Sequence, residues 1–283
     1  MKKSIEYRAL VREEIAEWKK IEAEMSRRGI PWWADVRQAK IKGKNIFWRN
    51  DPRKESIIRG KERELLLKLA SGEKRQRVLD IGCGSGWLSL ELGRKGMNVI
   101  GLDVSRERLA IARKMLQTNP YKKNFGTVKY LCADINQIDF PQGHFDTIVA
   151  WDTLHHFPNL DEVLAKSREW LKPGGKFIVY DHVGNRFLKI GRKLVEAFSG
   201  GGKTKVISYE DTLGKTMIVF LRKYFREVLF KTRLSFPVST LLFLILSRDV
   251  FLPILPLVAK IDRFVCDSHL FYGEYFFFHG TKR

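Results

Sequence analysis

The chain has 283 residues, is 44% hydrophobic and holds 19 Phe and 7 Trp, which excludes a disordered or fibrous protein and suits one large domain with or without appendages. Its three cysteines, Cys83, Cys132 and Cys266, lie far apart without metal-ligand spacing, so reduced, buried thiols of a cytosolic protein are expected rather than a disulfide or zinc framework. The net charge of +20 sits in the flanks: residues 1–77 carry 22 Lys/Arg against 12 Asp/Glu, residues 78–181 carry 13 against 12, and residues 182–283 carry 17 against 8. Such flanks attract a polyanion, be it nucleic acid, an anionic membrane surface or a phosphorylated substrate.

The N-terminus turns charged at Lys2 and Lys3, so no signal-peptide core is expected. Residues 4–28 place Leu10, Val11, Ile15, Trp18, Ile21 and Met25 on one face of an amphipathic helix, which Gly29 and Pro31 stop. Trp32, Trp33, Phe47 and Trp48 follow among basic residues and are expected to pack on the next domain rather than to stack on bases. A second helix over Lys54–Ala70 leads to Gly72 and the charged linker 73–77.

From Arg77 to Val183 apolar strands at Val78–Ile81, Asn98–Leu102, Val128–Cys132, Thr147–Trp151 and Lys176–Tyr180 alternate with amphipathic helices at Trp87–Lys95, Arg106–Leu116 and Leu160–Leu171. Short buried strands alternating with helices predict a parallel sheet covered on both faces, with ligands bound beyond the carboxyl ends of the strands. A basic helix is predicted over Arg186–Phe198. It runs into Ser199-Gly200-Gly201-Gly202-Lys203-Thr204, which lacks the first glycine and preceding strand of a phosphate-binding loop and reads as a plain loop. Phe225–Phe236 and Tyr272–His279 read as two closing strands. Between them, residues 237–270 form an apolar block with runs at Leu241–Leu246 and Val250–Ala259, split by Arg248-Asp249. Neither run reaches the ~20 residues of a spanning helix, so the block is expected to cap a substrate pocket or to dip into a membrane interface.

The chemistry concentrates at Val78-Leu79-Asp80-Ile81-Gly82-Cys83-Gly84-Ser85-Gly86-Trp87, where glycines directly after a strand let backbone N–H groups approach a ligand. A dinucleotide fingerprint would need its third glycine at position 87, which is Trp87, so NAD and FAD are disfavoured. Asp103 ends the second strand, where a carboxylate can accept both hydroxyls of a ribose. Asp134 follows the third strand, where one can accept from an adenine amine.

These segments resemble the class I S-adenosylmethionine-dependent methyltransferases. Asp80–Gly86 is similar to their first motif, Gly101-Leu102-Asp103 to the second, Cys132-Ala133-Asp134-Ile135 to the third, Phe145–Phe157 to the fourth, and Leu171–Phe177 to the turn before strand five. The resemblance covers about residues 75–183 and is nearest the small-molecule and lipid branch typified by menaquinone and ubiquinone biosynthesis. It implies a Rossmann-like α/β fold whose seven-stranded sheet is mostly parallel with an antiparallel last strand and has helices on both faces. It also implies S-adenosyl-L-methionine as cofactor and S-adenosyl-L-homocysteine as product. By resemblance, Gly82 and Gly84 approach the methionine part with Cys83 contributing backbone, and Asp103 holds the ribose with Val104 beside the adenine. Asp134 and Ile135 meet the adenine edge, the Trp151 backbone meets the amino-acid end, and Asp80 anchors the loop or a cofactor amine through water.

The expected organisation is an N-terminal basic helical cap over 1–72, the cofactor-binding domain over 73–236 and 271–283, and the apolar insertion over 237–270. Asp152, His155 and His156 follow the fourth strand, where the acceptor should lie, and His156 leads as candidate base; Asp181 and His182 rank second, and no metal is expected. Methylation of an exocyclic base amine is disfavoured because Trp151-Asp152-Thr153-Leu154 lacks the Asn/Asp-Pro-Pro-Tyr/Phe pattern of that subclass. The expected acceptor is a hydrophobic, lipid-like or lipid-linked small molecule, met in the cytoplasm or at the cytoplasmic face of an anionic membrane. An RNA methyltransferase using the basic flanks and a non-catalytic cofactor-binding scaffold are the alternatives.

Overall fold

A computed structural model describes residues 52–182, 213–233, 248–268, 273 and 275–283, with Arg12, Ala16 and Lys20 as helical positions. The rest of the expected 4–28 helix lies outside the described residues. So do the aromatic residues 32–48, the basic helix 186–198, the glycine loop 199–204 and the run Leu241–Leu246.

Helix α1 (Pro52–Ala70) enters β1 (Arg77–Ile81) through a short linker. The alternation then runs α2 (Trp87–Arg94), β2 (Asn98–Asp103), α3 (Arg106–Gln117), β3 (Thr127–Cys132) and β4 (Phe145–Trp151). After a single 3-10 turn at Leu154–His156 come α4 (Leu160–Trp170) and β5 (Leu171–His182). Beyond the undescribed stretch lie α5 (Leu213–Tyr224), β6 (Phe225–Arg233), α6 (Arg248–Asp267) and β7 (Tyr275–Lys282). The sequence reading assigned no element to α5, although Leu213, Met217, Phe220, Leu221 and Tyr224 recur at helical spacing. Met217, Ile218 and Leu221 are buried against the sheet.

The seven strands stand in the order β3-β2-β1-β4-β5-β7-β6. Strands β1 to β5 pair in parallel, and β7 runs antiparallel between β5 and β6. The chain therefore steps outward from β1 in one direction and restarts beside β1 with β4. That reversal places a crevice beyond the carboxyl ends of β1 and β4. The central strands are apolar on both faces because helices cover both. One face buries Leu79, Ile148, Phe177 and Phe276 beneath α4 and α5. The other buries Val78, Val99, Val149 and Tyr180 beneath α1 and α2, with Leu66, Leu67 and Ala70 of α1 inside that core.

Cysteine burial needs one correction. Cys83 and Cys266 are buried, but Cys132 is exposed. It lies on β3, the edge strand, whose outer positions have no neighbour to cover them.

Candidate active site

The β1–α2 turn is shaped by packing on one side and left bare on the other. Gly82 has φ +62°, and a Cβ there would stand 1.9 Å from Thr153 Oγ1. Gly84 has φ +54°, but a Cβ there would meet nothing nearer than Arg108 Nη1 at 3.6 Å. Gly82 thus answers to the neighbouring β4 loop, whereas Gly84 presents uncovered backbone. The early third glycine, Gly86, lies against Tyr130 and Ala112, and the Tyr130 hydroxyl donates to its carbonyl at 3.2 Å.

Asp103 ties this turn to the end of β2. Its Oδ2 accepts from the Gly84 N–H and its Oδ1 from the Ser105 N–H, each at 2.8 Å. Each carboxylate oxygen has two lone pairs, so the same group can still accept from a vicinal diol. Val104, 38% exposed, follows directly and offers an apolar surface beside it. The Cys83 N–H donates to the Leu102 carbonyl, which closes the cluster. Asp80 lies beneath: burial pushes its carboxyl up to about 7, against hydrogen bonds from the Ser89 side chain and backbone, and the nearby Asp103 charge adds to the rise. Ser89 Oγ donates to it at 2.6 Å, so Asp80 anchors the start of α2.

At the end of β3, Asp134 Oδ1 accepts from the Asn136 N–H and side-chain amide and shapes its own turn. The Ile135 side chain is buried in the core, and its carbonyl accepts from Lys166 Nζ at 3.2 Å. Trp151 ends β4, stacked on Tyr180 with ring centroids 4.3 Å apart and edge-on to Trp87 at 5.2 Å. Arg63 of α1 lies over the Trp87 ring, which explains a tryptophan where a dinucleotide site would have glycine.

The candidate catalytic residues gather where β4 and β5 end. Asp152 adopts φ +55° and pairs with His182 Nε2 at 3.0 Å and Arg59 Nη1 at 3.3 Å. Burial would raise the Asp152 carboxyl, but the neighbouring His182 imidazole and Arg59 guanidinium outweigh it and hold the group well below the usual carboxylate range. Asp181 is fully buried and collects four donors: the N–H groups of Thr153 at 3.1 Å, Leu154 at 2.6 Å and His182 at 2.7 Å, and His155 Nδ1 at 2.6 Å. Burial opposes its ionisation, and His155, as charge and hydrogen-bond donor, overcomes this and lowers it. The His155 and His182 rings meet edge to face at 4.9 Å.

Two carboxylate–histidine pairs thus stand side by side, graded from core to opening. Asp181 and His155 are 0% and 6% exposed, His182 and Asp152 are 23% and 29%. The His156 ring lies tilted against His155 with centroids 3.8 Å apart, one step outside the pairs. The second-ranked Asp181 and His182 are therefore central to the cluster. Arg59 and Tyr275, which sequence reasoning missed, complete the wall: the guanidinium lies 4.3 Å from the Tyr275 ring centroid and also donates to its hydroxyl. No local pattern marks them, because Arg59 meets residues 93 and 216 positions away.

Asp152, His155 and His182 each offer a ligand atom within 4.8 Å of the others, a spacing that can hold a cation. Arg59 already supplies positive charge to Asp152, so the chain itself balances the cluster. The glycine turn, in contrast, suits a nucleoside with a charged tail: room for close approach at Gly84, a diol acceptor at Asp103 and an apolar shelf at Val104.

Comparison with known proteins agrees. Residues 79–179 match the model of the methyltransferase-domain family. A ubiquinone biosynthesis O-methyltransferase of Bradyrhizobium diazoefficiens is 35% identical over 103 residues, 36% of this chain and 38% of that one. A sterol 4-C-methyltransferase of Caenorhabditis elegans is 34% identical over 103 residues, 36% of this chain and 30% of that one. The chain thus spans about a third of the length of these relatives. The solved [4+2]-cyclase SpnF shares the fold, with TM-score 0.54 and 19% identity over 86% of this chain and 84% of its own. Since that protein is a cyclase, the fold alone does not fix the reaction. Motifs, glycine turn and matched family converge: residues 79–179 form an S-adenosylmethionine-dependent methyltransferase domain.

Proposed function

We propose that the protein moves a methyl group from S-adenosyl-L-methionine to a hydroxyl of a hydrophobic, lipid-like acceptor, with His182 as the base. The Asp152–His182 pair carries this reading. It is the more exposed of the two carboxylate–histidine pairs and follows the strand ends beside the glycine turn, with Thr153 packed on Gly82. The names of the two relatives, acting in ubiquinone biosynthesis and on sterols, support an apolar acceptor.

When bound, the cofactor supplies a sulfonium-activated methyl carbon and leaves as S-adenosyl-L-homocysteine. The chain must align acceptor oxygen, methyl carbon and sulfur, and keep water out. Such alignment reaches effective molarities on the order of 10⁵ M or more. Asp152 beside His182 Nε2 places the proton there and the lone pair on Nδ1, which takes the hydroxyl proton as the new O–C bond forms and the C–S bond breaks. Asp181 holds His155 and three backbone N–H groups, so that pair positions the 153–156 turn.

Turnover of a tritiated methyl donor with a lipid extract and with RNA tests this reading. Label should enter the organic phase, and incorporation into RNA alone would overturn it. His182→Gln should lower kcat by about 10²–10⁴-fold at unchanged cofactor affinity, whereas His156→Gln should change it little. Full kcat in His182→Gln would remove the base from the mechanism.

A further inference from the structure

We infer that the outward face of α6 is a docking surface for an anionic membrane. Ile254, Leu257, Ile261 and Phe264 are 38%, 61%, 54% and 69% exposed. At 3.6 residues per turn they fall within an arc of about 80°. Leu255, Ala259, Asp262 and Cys266 on the opposite side are buried against the body of the protein. A helix that only closes the core would turn polar residues outward. Here the outward face carries aliphatic and aromatic side chains, extended by exposed Pro253 and Pro256, with Lys260 and the Arg233-paired Asp267 exposed at its edge.

Charge selects the occupant. The chain carries +20 overall, while α6 itself balances three basic against three acidic residues, so repulsion of a second copy and attraction of an anionic surface come from the protein as a whole. Apolar burial and electrostatic attraction are the two contributions that hold an interfacial helix on a bilayer. Among the described residues no helix is long and apolar enough to cross a membrane, and α6 lies along the surface of the body rather than leaving it. Buried Arg233 on β6 secures it there, bonding Asp267 of α6 at 2.8 Å and Glu62 of α1 at 2.5 Å. Helix α1 also carries Arg59 of the active-site wall, so the docked face adjoins the element that borders the acceptor site. This inference rests on the lipid-like acceptor of the proposed function and says where that acceptor is met.

The test is flotation of the full chain with vesicles of phosphatidylcholine alone and with roughly a third phosphatidylglycerol, at low and high salt. The protein should float with the anionic vesicles, less so at high salt. Leu257→Glu/Phe264→Glu should reduce flotation at least about tenfold. Val219→Glu/Val228→Glu, which changes exposed apolar residues elsewhere by the same charge, should stay within about twofold. Cofactor binding by calorimetry shows that both variants are folded. Absence of wild-type flotation, equal loss in both variants, or an undiminished Leu257→Glu/Phe264→Glu would overturn the inference. So would a wild-type dimer that this variant splits without any effect on lipid. Failure of methyl transfer with intact flotation would instead count against the proposed reaction.

Discussion

At the scale of single residues, three glycines in one short turn serve different ends. Gly82 is required by packing, since its Cβ would overlap Thr153, whereas a Cβ at Gly84 would make only an ordinary contact with Arg108 at 3.6 Å. Both have positive φ, which costs a non-glycine residue about 1–2 kcal/mol. Gly84→Ala should therefore lower the melting temperature only modestly yet abolish cofactor binding in calorimetry, while Gly82→Ala should lower both severely. Equal effects at the two positions would refute the distinction. Asp80 predicts a pH effect with a definite sign. Its carboxyl is raised from 3.8 to about 7, so between those values the folded form binds more protons than the unfolded chain. Stability from this group is complete below pH 3.8 and declines as pH rises to about 7. Asp80→Asn should flatten that decline in denaturant titrations compared with wild type, and an identical slope would show that the buried carboxyl is not protonated.

Among the elements, α1, β6 and α6 are joined by one buried arginine. Arg233 and Glu62 are 7% and 3% exposed, so removing the guanidinium leaves a carboxylate with little water to solvate it. Breaking such a pair costs about 3–5 kcal/mol. Arg233→Met should destabilise the protein by that order in urea unfolding, and adding Glu62→Gln should recover a large part. No recovery would mean that lost packing, not the stranded charge, is responsible. The anchoring of the β4 and β5 ends follows a similar logic: one carboxylate, Asp181, satisfies three backbone N–H groups of two loops, so the turn holding His155 is tied to the sheet.

For the whole molecule, the division between what was legible and what was not follows contact range. The strands Val78–Ile81 and Asn98–Leu102 and the motifs at Gly82–Gly86, Asp103 and Asp134 could be read directly, because strand, turn and helix periodicities and glycine-dependent turns are local properties of the chain. The matched family covers the same stretch. Helix α5 went unassigned although Leu213, Met217, Phe220, Leu221 and Tyr224 recur at helical spacing, and Met217 and Leu221 on that face are packed against the sheet. What was not legible is which residues of α6 turn outward, since an apolar residue reads alike whether it turns inward as Leu255 does or outward as Phe264 does. The same limit governed the candidate site: the sequence offered His155, His156 and His182 without their partners, and the fold gave the buried Asp181 to His155 and brought Asp152 to His182. Sequence alone thus determined the fold class and the cofactor, which depend on short-range spacing. Tertiary structure decided the candidate catalytic cluster: Arg59, Asp152, His182 and Tyr275 come from α1, the end of β4, β5 and β7, and only the order of strands in the sheet makes them neighbours.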